Sequence, residues 1–325
     1  MISIIIPAYN EENNIADCIN AVLNQDYRGK YEVIVVDDGS RDNTIKILKK
    51  FKKVKIFRQK HKGPAAARNL GIRKAKGEIV IFTDSDCIPE KTWLQEMVKP
   101  FKNKKIIGVQ GRYKSKQRNL TSRFTQLEIE DRYDRLKKQK YIDFLSTYST
   151  AYKRAILIKN GGFDETFLTS SGEDPELSFR LENEGKMVFN FKAIVYHRHP
   201  DNLKQYLRTK FWRAFWRILL YKKYPSKIKN ESYTPQTLKF QIMAFYSLIL
   251  SAGLLFFYFN SFYIFILSAV ALFLLATPLT IKNLKKDVTV GILTPFLSFL
   301  RTVTFSLGLI YGIIKFQMFN QNKSN

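Results

Sequence analysis

Two carboxylates two residues apart, Asp84 and Asp86, come directly after a β-rich run at residues 78–83. Carboxylates with this spacing on a turn can both approach one hard divalent cation. Such a cation can neutralise the charge of a diphosphate leaving group. A turn rich in Asp and Ser has the same composition without any metal, so the triplet by itself leaves both interpretations open.

Two other polar clusters also follow β-rich runs. One is residues 7–11, Pro-Ala-Tyr-Asn-Glu, and the other is residues 37–40, Asp-Asp-Gly-Ser. Carboxylates in the second cluster could accept hydrogen bonds from a nucleoside base or ribose, although an Asp-Gly turn that closes a strand looks the same. Because open α/β sheets bind ligands beyond the carboxyl ends of their strands, the three clusters could meet in one crevice.

Two predicted helix starts carry further candidates. Gly63 lets the backbone approach a ligand, and Arg68 lies one turn inside the helix, where it can contact a nucleotide base or phosphate. The same segment also suits a routine helix start. Asp174 stands where an N-cap would be. A carboxylate at that position could instead act as the general base for an acceptor hydroxyl.

The elements that must position these residues alternate between strands and helices. Near-continuous Val/Ile runs separated by helical patterns predict an α/β fold with a mostly parallel sheet covered on both faces. The predicted strands are residues 2–6, 32–37, 54–58, 78–83, 106–110 and 148–152, and the predicted helices are residues 12–24, 44–51, 64–75, 91–101, 121–140 and 174–184.

The composition restricts the class of protein and of partner. A chain of 325 residues with 45% hydrophobic residues can bury a sizeable core. The net charge of +26 favours an anionic partner, which could be nucleic acid, a phosphorylated substrate or acidic lipid. Cys18 and Cys87 form neither a metal-type pair nor a disulfide framework, so we interpret them as small buried residues.

The C-terminal part has the composition of a membrane region. Residues 240–281 contain no charged residue and are long enough for two spanning helices, 240–259 and 262–281, with the turn at Asn260 and Ser261. A third apolar stretch, 288–314, is interrupted only by Arg301, which should face protein, water or headgroups.

A basic and aromatic segment precedes the membrane region. Residues 203–224 predict an interfacial helix on the bilayer, with a buried basic helix as the alternative. The ten Lys and Arg residues at positions 201–239, Lys239 included, favour an anionic lipid surface over nucleic acid. We therefore expect three regions: a soluble domain at 1–200, a juxtamembrane segment at 201–239 and a membrane region at 240–318. Basic flanks predict a multi-pass cell-membrane protein whose residues 1–239 and 282–286 loop are cytoplasmic.

The motifs taken in order resemble the family 2 glycosyltransferases, which have the GT-A fold, a Rossmann-like and mostly parallel sheet. The resemblance covers residues 1 to about 220. It rests on six motifs in family order: Ile-Pro-Ala-Tyr-Asn-Glu at 6–11, Val-Asp-Asp-Gly-Ser at 36–40, Gly-Pro-Ala-Ala-Ala-Arg-Asn at 63–69, Asp-Ser-Asp at 84–86, Gly-Gly-Phe-Asp-Glu at 161–165 and Gly-Glu-Asp at 172–174.

The resemblance implies a role for each candidate residue. Asp174 would be the catalytic base of an inverting displacement, and Glu173 would orient the acceptor. Mn²⁺ or Mg²⁺ would be held by Asp86, with Asp84 at the ribose or diphosphate. His197 matches a metal or diphosphate ligand of the family, although a histidine near a sheet edge is often structural. The nucleotide-sugar site would be lined by Pro7, Ala8, Tyr9, Glu11, Asp38, Gly63, Arg68 and Asp84.

These roles predict a metal-dependent hexosyl- or N-acetylhexosaminyl-type glycosyltransferase that uses a UDP-sugar. The family's processive synthases carry Gln-x-x-Arg-Trp, whereas residues 205–209 read Gln-Tyr-Leu-Arg-Thr, so single-sugar transfer is favoured over polymerisation. Glu173 and Asp174 favour a hydroxyl acceptor, which we expect to be lipid-linked. A non-catalytic nucleotide-sugar-binding subunit remains the other alternative. A dinucleotide-dependent oxidoreductase is disfavoured because no Gly-x-Gly-x-x-Gly follows the first strand.

Overall fold

The computed structural model describes residues 1–167, 169, 171–232 and 234–321. The chain divides into two compact units. The first unit comprises residues 1–116 and 133–198, and the second comprises residues 117–132 and the chain from residue 199 onward. Residues 117–132 therefore group with the chain from residue 199 onward and not with their neighbours in sequence.

A single eight-stranded sheet forms the centre of the first unit, in the order β3-β2-β1-β4-β7-β6-β8-β5. The β1–β2, β2–β3, β1–β4 and β6–β8 pairs are parallel, so the α/β prediction is correct. The short β5 and the long β8 were not predicted. The strands are β1 Ile2–Ala8, β2 Tyr31–Asp37, β3 Val54–Arg58, β4 Ile79–Thr83, β5 Cys87–Pro89, β6 Ile106–Lys114, β7 Ser149–Lys153 and β8 Lys186–His197.

Helices pack on this sheet because its central strands are apolar on both faces. All seven residues of β1 are buried. A Cβ added to Gly71 of α3 would lie 2.4 Å from Cγ2 of Ile5, so a glycine is needed where α3 lies against β1. The helices are α1 Ile15–Leu23, α2 Thr44–Leu48, α3 Pro64–Lys74, α4 Trp93–Val98, α5 Leu120–Leu136, α6 Arg154–Lys159 and α7 Glu173–Arg180, with α5 running from the second unit into the first.

The second unit contains three helices that are long and apolar enough to cross a membrane. These helices correspond to the three predicted ones, but residues 255–260 separate the first two, and residues 282–286 form the last turn of α11 rather than a loop. The helices of this unit after α5 are α8 Leu203–Lys223, α9 Lys227–Asn230, α10 Gln236–Leu254, α11 Ser261–Lys286 and α12 Val288–Gln321.

Basic residues of α8 and α12 are paired inside the second unit. Lys210 lies 2.6 Å from Glu128 of α5, and Arg217 lies 2.7 Å from Glu231. These two α8 cations are therefore paired with protein carboxylates, and the interfacial position of residues 203–224 stays a prediction. Arg301 donates to Glu128 at 2.7 Å and faces protein, as expected of a cation in an apolar helix.

Candidate active site

The three polar clusters predicted from the sequence lie at one edge of the sheet in the first unit. Ala8 at the end of β1 is paired in register with Asp37 at the end of β2. β4 lies on the other side of β1 and runs parallel to it, so Thr83 ends at the same edge. The clusters that follow these strands therefore converge, as the sequence predicted.

Asp84 and Asp86 form the turn between β4 and β5. β5 pairs antiparallel with β8, which sets Cys87 opposite His197. Nε2 of His197 consequently lies 3.1 Å from Oδ2 of Asp86, although the two residues are far apart in sequence. Ligand atoms of Asp84, Asp86 and Cys87 lie within 4.8 Å of one another. The turn thus brings two carboxylates together, and His197 adds a ring nitrogen beside Asp86.

The electrostatics of this cluster suit a cation. Burial raises the pKa of Asp84, and the charge of Asp86 adds to the effect while Arg68 opposes it. Burial also raises the pKa of Glu11, with contributions from the same two aspartates. Burial would also raise the pKa of Asp86, but the nearby His197 has the larger opposite effect, so the pKa of Asp86 is lowered. Partly buried carboxylates that repel one another are stabilised by a divalent cation, so the donor set fits Mn²⁺ or Mg²⁺.

Cys87 belongs to the same cluster but does not fit the role of ligand. Its thiol is fully buried, and burial raises its pKa well above the usual value. A neutral thiol is a poor ligand for a hard cation, which prefers oxygen. Sγ instead lies 3.8 Å from Oδ1 of Asp86, where the thiol donates a weak hydrogen bond. We assign Cys87 to packing, which agrees with the sequence interpretation.

Asp38 organises the loop between β3 and α3. Its Oδ1 accepts from the Gln59 side chain at 2.7 Å and from the Lys62 amide at 2.9 Å. Its Oδ2 accepts from the Gly63 amide at 2.8 Å and lies 2.8 Å from Nδ1 of His61. A carboxylate has about four acceptor positions, so Asp38 is satisfied by protein groups and shapes the loop beside the predicted nucleotide site.

His61 of the same loop and Tyr9 after β1 form an aromatic surface. Sequence reasoning singled out Tyr9 for the nucleotide site but gave His61 no role. The rings of Tyr9 and His61 stack with their centroids 4.0 Å apart and their planes at 21°. Gly63 has a φ of 92°, a conformation that glycine adopts without strain.

Glu11, the last residue of the first cluster, accepts from the Asn14 side chain at 2.9 Å. Pro7, one residue before the end of β1, is buried.

Arg68 is buried and bridges two acidic residues. Its Nη1 donates to Glu173 at 2.8 Å, and its Nη2 donates to Asp84 at 3.2 Å. The guanidinium also lies over the ring of Phe163, 5.6 Å from its centroid. The side chain was predicted to contact a nucleotide directly. In the structure it connects the Asp84 turn with the start of α7.

Asp174 is the second residue of α7, whose N-cap position is occupied by Gly172. The N-cap interpretation of Asp174 is therefore wrong. Its Oδ2 accepts from the amide of Thr147 at 2.9 Å and from the hydroxyl at 3.1 Å. Its Oδ1 is buried and accepts no hydrogen bond from the described residues. Burial first, and then the charge of Glu173, raise the pKa of Asp174 to about 7.

The Gly-Gly-Phe-Asp-Glu motif is held against α3 by Asn69. The Asn69 side chain accepts from the Phe163 amide at 2.8 Å and donates to the Glu165 carboxylate at 2.8 Å. Gly162 has a φ of 72°, and an added Cβ would lie 2.3 Å from the Asn69 oxygen. The next residue after Arg68 thus fixes the turn that precedes α7. Asn69 was quoted in the sequence motif but was given no role there.

Comparison with known proteins identifies a family for part of the chain. Residues 3–161 match the family model described as "Glycosyl transferase family 2". The family 2 assignment is therefore supported for this part of the chain. The predictions of this family and of the GT-A fold are confirmed, and the family explains why polar clusters gather at one edge of a mostly parallel sheet.

Two relatives illustrate how far the similarity extends. The chain is 44% identical over 103 residues to "Glycosyltransferase AglE" of Haloferax volcanii, which covers 30% of this chain and 34% of that protein. It is 30% identical over 234 residues to "Probable glycosyltransferase YdaM" of Bacillus subtilis, covering 66% of this chain and 53% of that protein. The chain therefore spans about a third to a half of the length of these relatives.

A solved structure with a similar fold is the mannosyltransferase PcManGT from Pyrobaculum calidifontis, in complex with GDP-Man and Mn²⁺. The TM-score is 0.61 at 19% sequence identity, and the match covers 96% of this chain and 86% of that chain. At this level of identity the likeness shows the fold.

Proposed function

We propose that this family 2 glycosyltransferase moves a single sugar from a nucleotide-diphosphate donor onto a hydroxyl of a membrane-associated acceptor, with inversion at the anomeric carbon. The observation that carries the proposal is the Arg68 bridge. It joins Asp84, at the predicted donor end, to Glu173, the neighbour of Asp174 at the predicted acceptor end. One crevice can then hold a leaving group and a base.

The donor end supplies charge and an aromatic surface. Asp84, Asp86 and His197 would hold a divalent cation, which would neutralise the diphosphate as it departs. The stacked rings of Tyr9 and His61 lie beside the Asp38 loop and offer a face for a nucleoside base. The bound GDP-Man and Mn²⁺ of the mannosyltransferase with a similar fold support a nucleotide sugar and a metal. Among donors we propose a UDP-sugar, with GDP-mannose as the first alternative to test.

The acceptor end supplies one base. Oδ1 of Asp174 accepts no hydrogen bond from the part of the chain that the structure describes, and its raised pKa of about 7 makes the carboxylate more basic than an ordinary aspartate. A positioned base of this kind contributes about 10²–10⁴-fold in rate. A departing diphosphate needs no proton, so one base suffices for a single displacement, and the anomeric configuration inverts.

The acceptor is proposed to be lipid-linked because the chain carries helices apolar enough to span a membrane. The sugar of a lipid-linked acceptor stays at the bilayer surface while its tail stays in the bilayer. The catalytic domain is proposed to lie on the cytoplasmic side, since basic residues flank the first of these helices. An anionic lipid surface suits the net charge of +26.

The test uses the full chain in detergent with a panel of nucleotide sugars. We expect one donor to stabilise the protein in thermal unfolding in the presence of Mn²⁺ and to be consumed faster when a lipid-linked saccharide is added. The product's anomeric configuration is then determined by NMR. Binding without turnover of any acceptor would favour the non-catalytic subunit, and a retained configuration would contradict direct displacement. Products longer than one added sugar would favour the processive synthase.

A further inference from the structure

The position of α8 relative to a membrane follows from its place in the chain. Within the described residues, the first helix apolar enough to span is α10, Gln236–Leu254, and α8 precedes it. α8 itself cannot span the membrane because charged residues recur along its whole length. It therefore stays on the side of the membrane that holds residues 1–202. The basic residues of α8 are Lys204, Arg208, Lys210, Arg213, Arg217, Lys222 and Lys223.

α12 packs along α8 in the same direction. Near the start of both helices, Tyr206 lies in one apolar cluster with Val290 and Leu297 of α12. Farther along, the ring of Phe215 lies 5.5 Å from that of Tyr311 and 4.9 Å from that of Phe316. The later residues of α12 thus contact the later residues of α8.

Glycines allow this contact to be close. A Cβ added to Gly308 would lie 2.4 Å from the backbone oxygen of Phe211, and one added to Gly312 would lie 2.9 Å from the backbone oxygen of Phe215. Backbone atoms cannot move aside as a flexible side chain can. The Gly308–Gly312 spacing is therefore a packing surface for α8, in the manner of small residues between membrane helices.

A buried ion cluster fixes the middle of α12. Arg301 donates to Glu128 at 2.7 Å and to the Gln241 side chain at 2.9 Å, and Glu128 also accepts from Lys210 at 2.6 Å. Burial opposes ionisation of Glu128, but Lys210 and Arg301 outweigh it and lower its pKa to about 2. α12 is thus tied to α5 and α8 at a charged point halfway along its length.

The exposed face of α12 is apolar, although it does not pack on the described part of the second unit. The buried face combines polar side chains with Val290, Leu297 and Phe305. This pattern calls for an apolar environment on the exposed side. The buried polar residues are Thr294, Ser298, Arg301, Thr302 and Ser306, and the exposed apolar residues include Val288, Ile292, Phe296, Phe299, Leu307 and Ile310.

We propose that α12 does not cross the membrane and instead forms, with α8, a helix pair that lies on the bilayer surface with the apolar face of α12 in the lipid. If α12 spanned the bilayer, the contacts along its length would draw α8 in with it. Arg208 and Arg213, which precede and follow the Phe211 contact with Gly308, would then lie within the bilayer, where a charged side chain is strongly unfavourable. The occupant of the apolar face is lipid because that face belongs to the same unit as the exposed apolar helices α10 and α11.

The first test is the side on which the C-terminus lies. Reporters are fused to the N-terminus, to the C-terminus and after Tyr258, in the 255–260 turn. We expect the N- and C-terminal reporters on the same side, since α10 and α11 together return the chain to the side where it began. Reporters on opposite sides would show an odd number of crossings and overturn the proposal.

The second test measures depth along α12 in phosphatidylcholine–phosphatidylglycerol vesicles. Single cysteines replace Ile292, Phe299, Leu307 and Ile314 in separate variants and carry a nitroxide label. Cys18 and Cys87 are buried, so the unmodified chain serves as the labelling control. We expect the same shallow depth at all four sites, whereas a depth that peaks in the middle of the series would show a spanning helix. Leu267→Cys on α11 provides a deeper reference.

Discussion

Arg68 links Glu173 to Asp84, with Nη1 2.8 Å from the first carboxylate and Nη2 3.2 Å from the second. Arg68 and Glu173 are both almost fully buried, whereas Asp84 is partly exposed. The guanidinium thus neutralises a carboxylate that has no access to water while leaving Asp84 open to a ligand. The link also determines the spacing between the Asp84 turn and α7, which carries Asp174.

Replacing Arg68 should therefore cost both stability and activity. Arg68→Met keeps much of the volume but leaves Glu173 as an uncompensated buried charge, a loss of about 3–5 kcal/mol in the free energy of unfolding. Urea unfolding monitored by tryptophan fluorescence measures this loss of stability. The double variant Arg68→Met/Glu173→Gln should recover much of the stability but little of the activity. Full activity in the double variant would show that the link has no positioning role.

Asp174→Asn should bind donor almost normally and turn over at least about a hundredfold more slowly, because an amide cannot accept the proton. Asp17→Asn is the matched control, since Asp17 is an exposed acidic residue in the first turn of α1. We expect that control to keep normal turnover. Donor affinity from thermal shifts and turnover from product formation are measured together. Near-normal turnover by Asp174→Asn would end its assignment as base.

Asp174 should also make the stability of the protein depend on pH. Its pKa is raised from 3.8 to about 7 on folding, so the folded state binds this proton more tightly than the unfolded state does. The stabilisation that comes from protonated Asp174 is therefore fully present below about pH 4 and is lost as pH rises through 7. Relative to Asp174→Asn, the unmodified protein should lose stability between pH 5 and pH 8. The check is the free energy of urea unfolding of both proteins at the two pH values. If the stability difference between the unmodified protein and Asp174→Asn were the same at pH 5 and pH 8, the raised pKa would be contradicted.

Metal dependence should reside in the oxygen and imidazole donors and not in the thiol. Asp86→Ala should abolish activity while leaving the fold intact, and His197→Ala should weaken Mn²⁺ binding. Cys87→Ser should retain it, because the buried thiol is neutral. Electron paramagnetic resonance titration of Mn²⁺ measures binding without turnover. Full activity of Asp86→Ala in EDTA, or loss of Mn²⁺ binding in Cys87→Ser with an intact fold, would contradict this assignment.

Substituting the glycines of α12 should separate it from α8. Gly308→Ala places a methyl group against the Phe211 carbonyl, so we expect a loss of about 1–3 kcal/mol and a lower thermal unfolding temperature in detergent. Gly253→Ala is the matched control, because a Cβ there meets no atom within 4 Å. Equal stability of the two variants would show that the α8–α12 contact contributes nothing.

The sequence by itself determined much of the first unit. The apolar runs at residues 2–6, 32–37 and 78–83 are strands β1, β2 and β4 with small shifts of their ends. Their periodicity is local, and the parallel arrangement follows from the helices between them. The convergence of the clusters at 7–11, 37–40 and 84–86 follows in turn, because parallel strands end at the same edge. The composition likewise indicated the three apolar helices.

Only the tertiary structure decided the partners of the charged residues. His197 meets Asp86 because β5 pairs with β8, two strands that the local pattern did not predict. Asp38 accepts from its neighbouring loop, and Arg68 donates to Glu173 of α7 and to Asp84. The motifs of these two side chains did not indicate these protein partners. α12 has the composition of a spanning helix, yet its contacts with α8 tie it to a basic helix. Hydrophobic periodicity records which face of an element is apolar, whereas the choice of partner depends on contacts between distant parts of the chain.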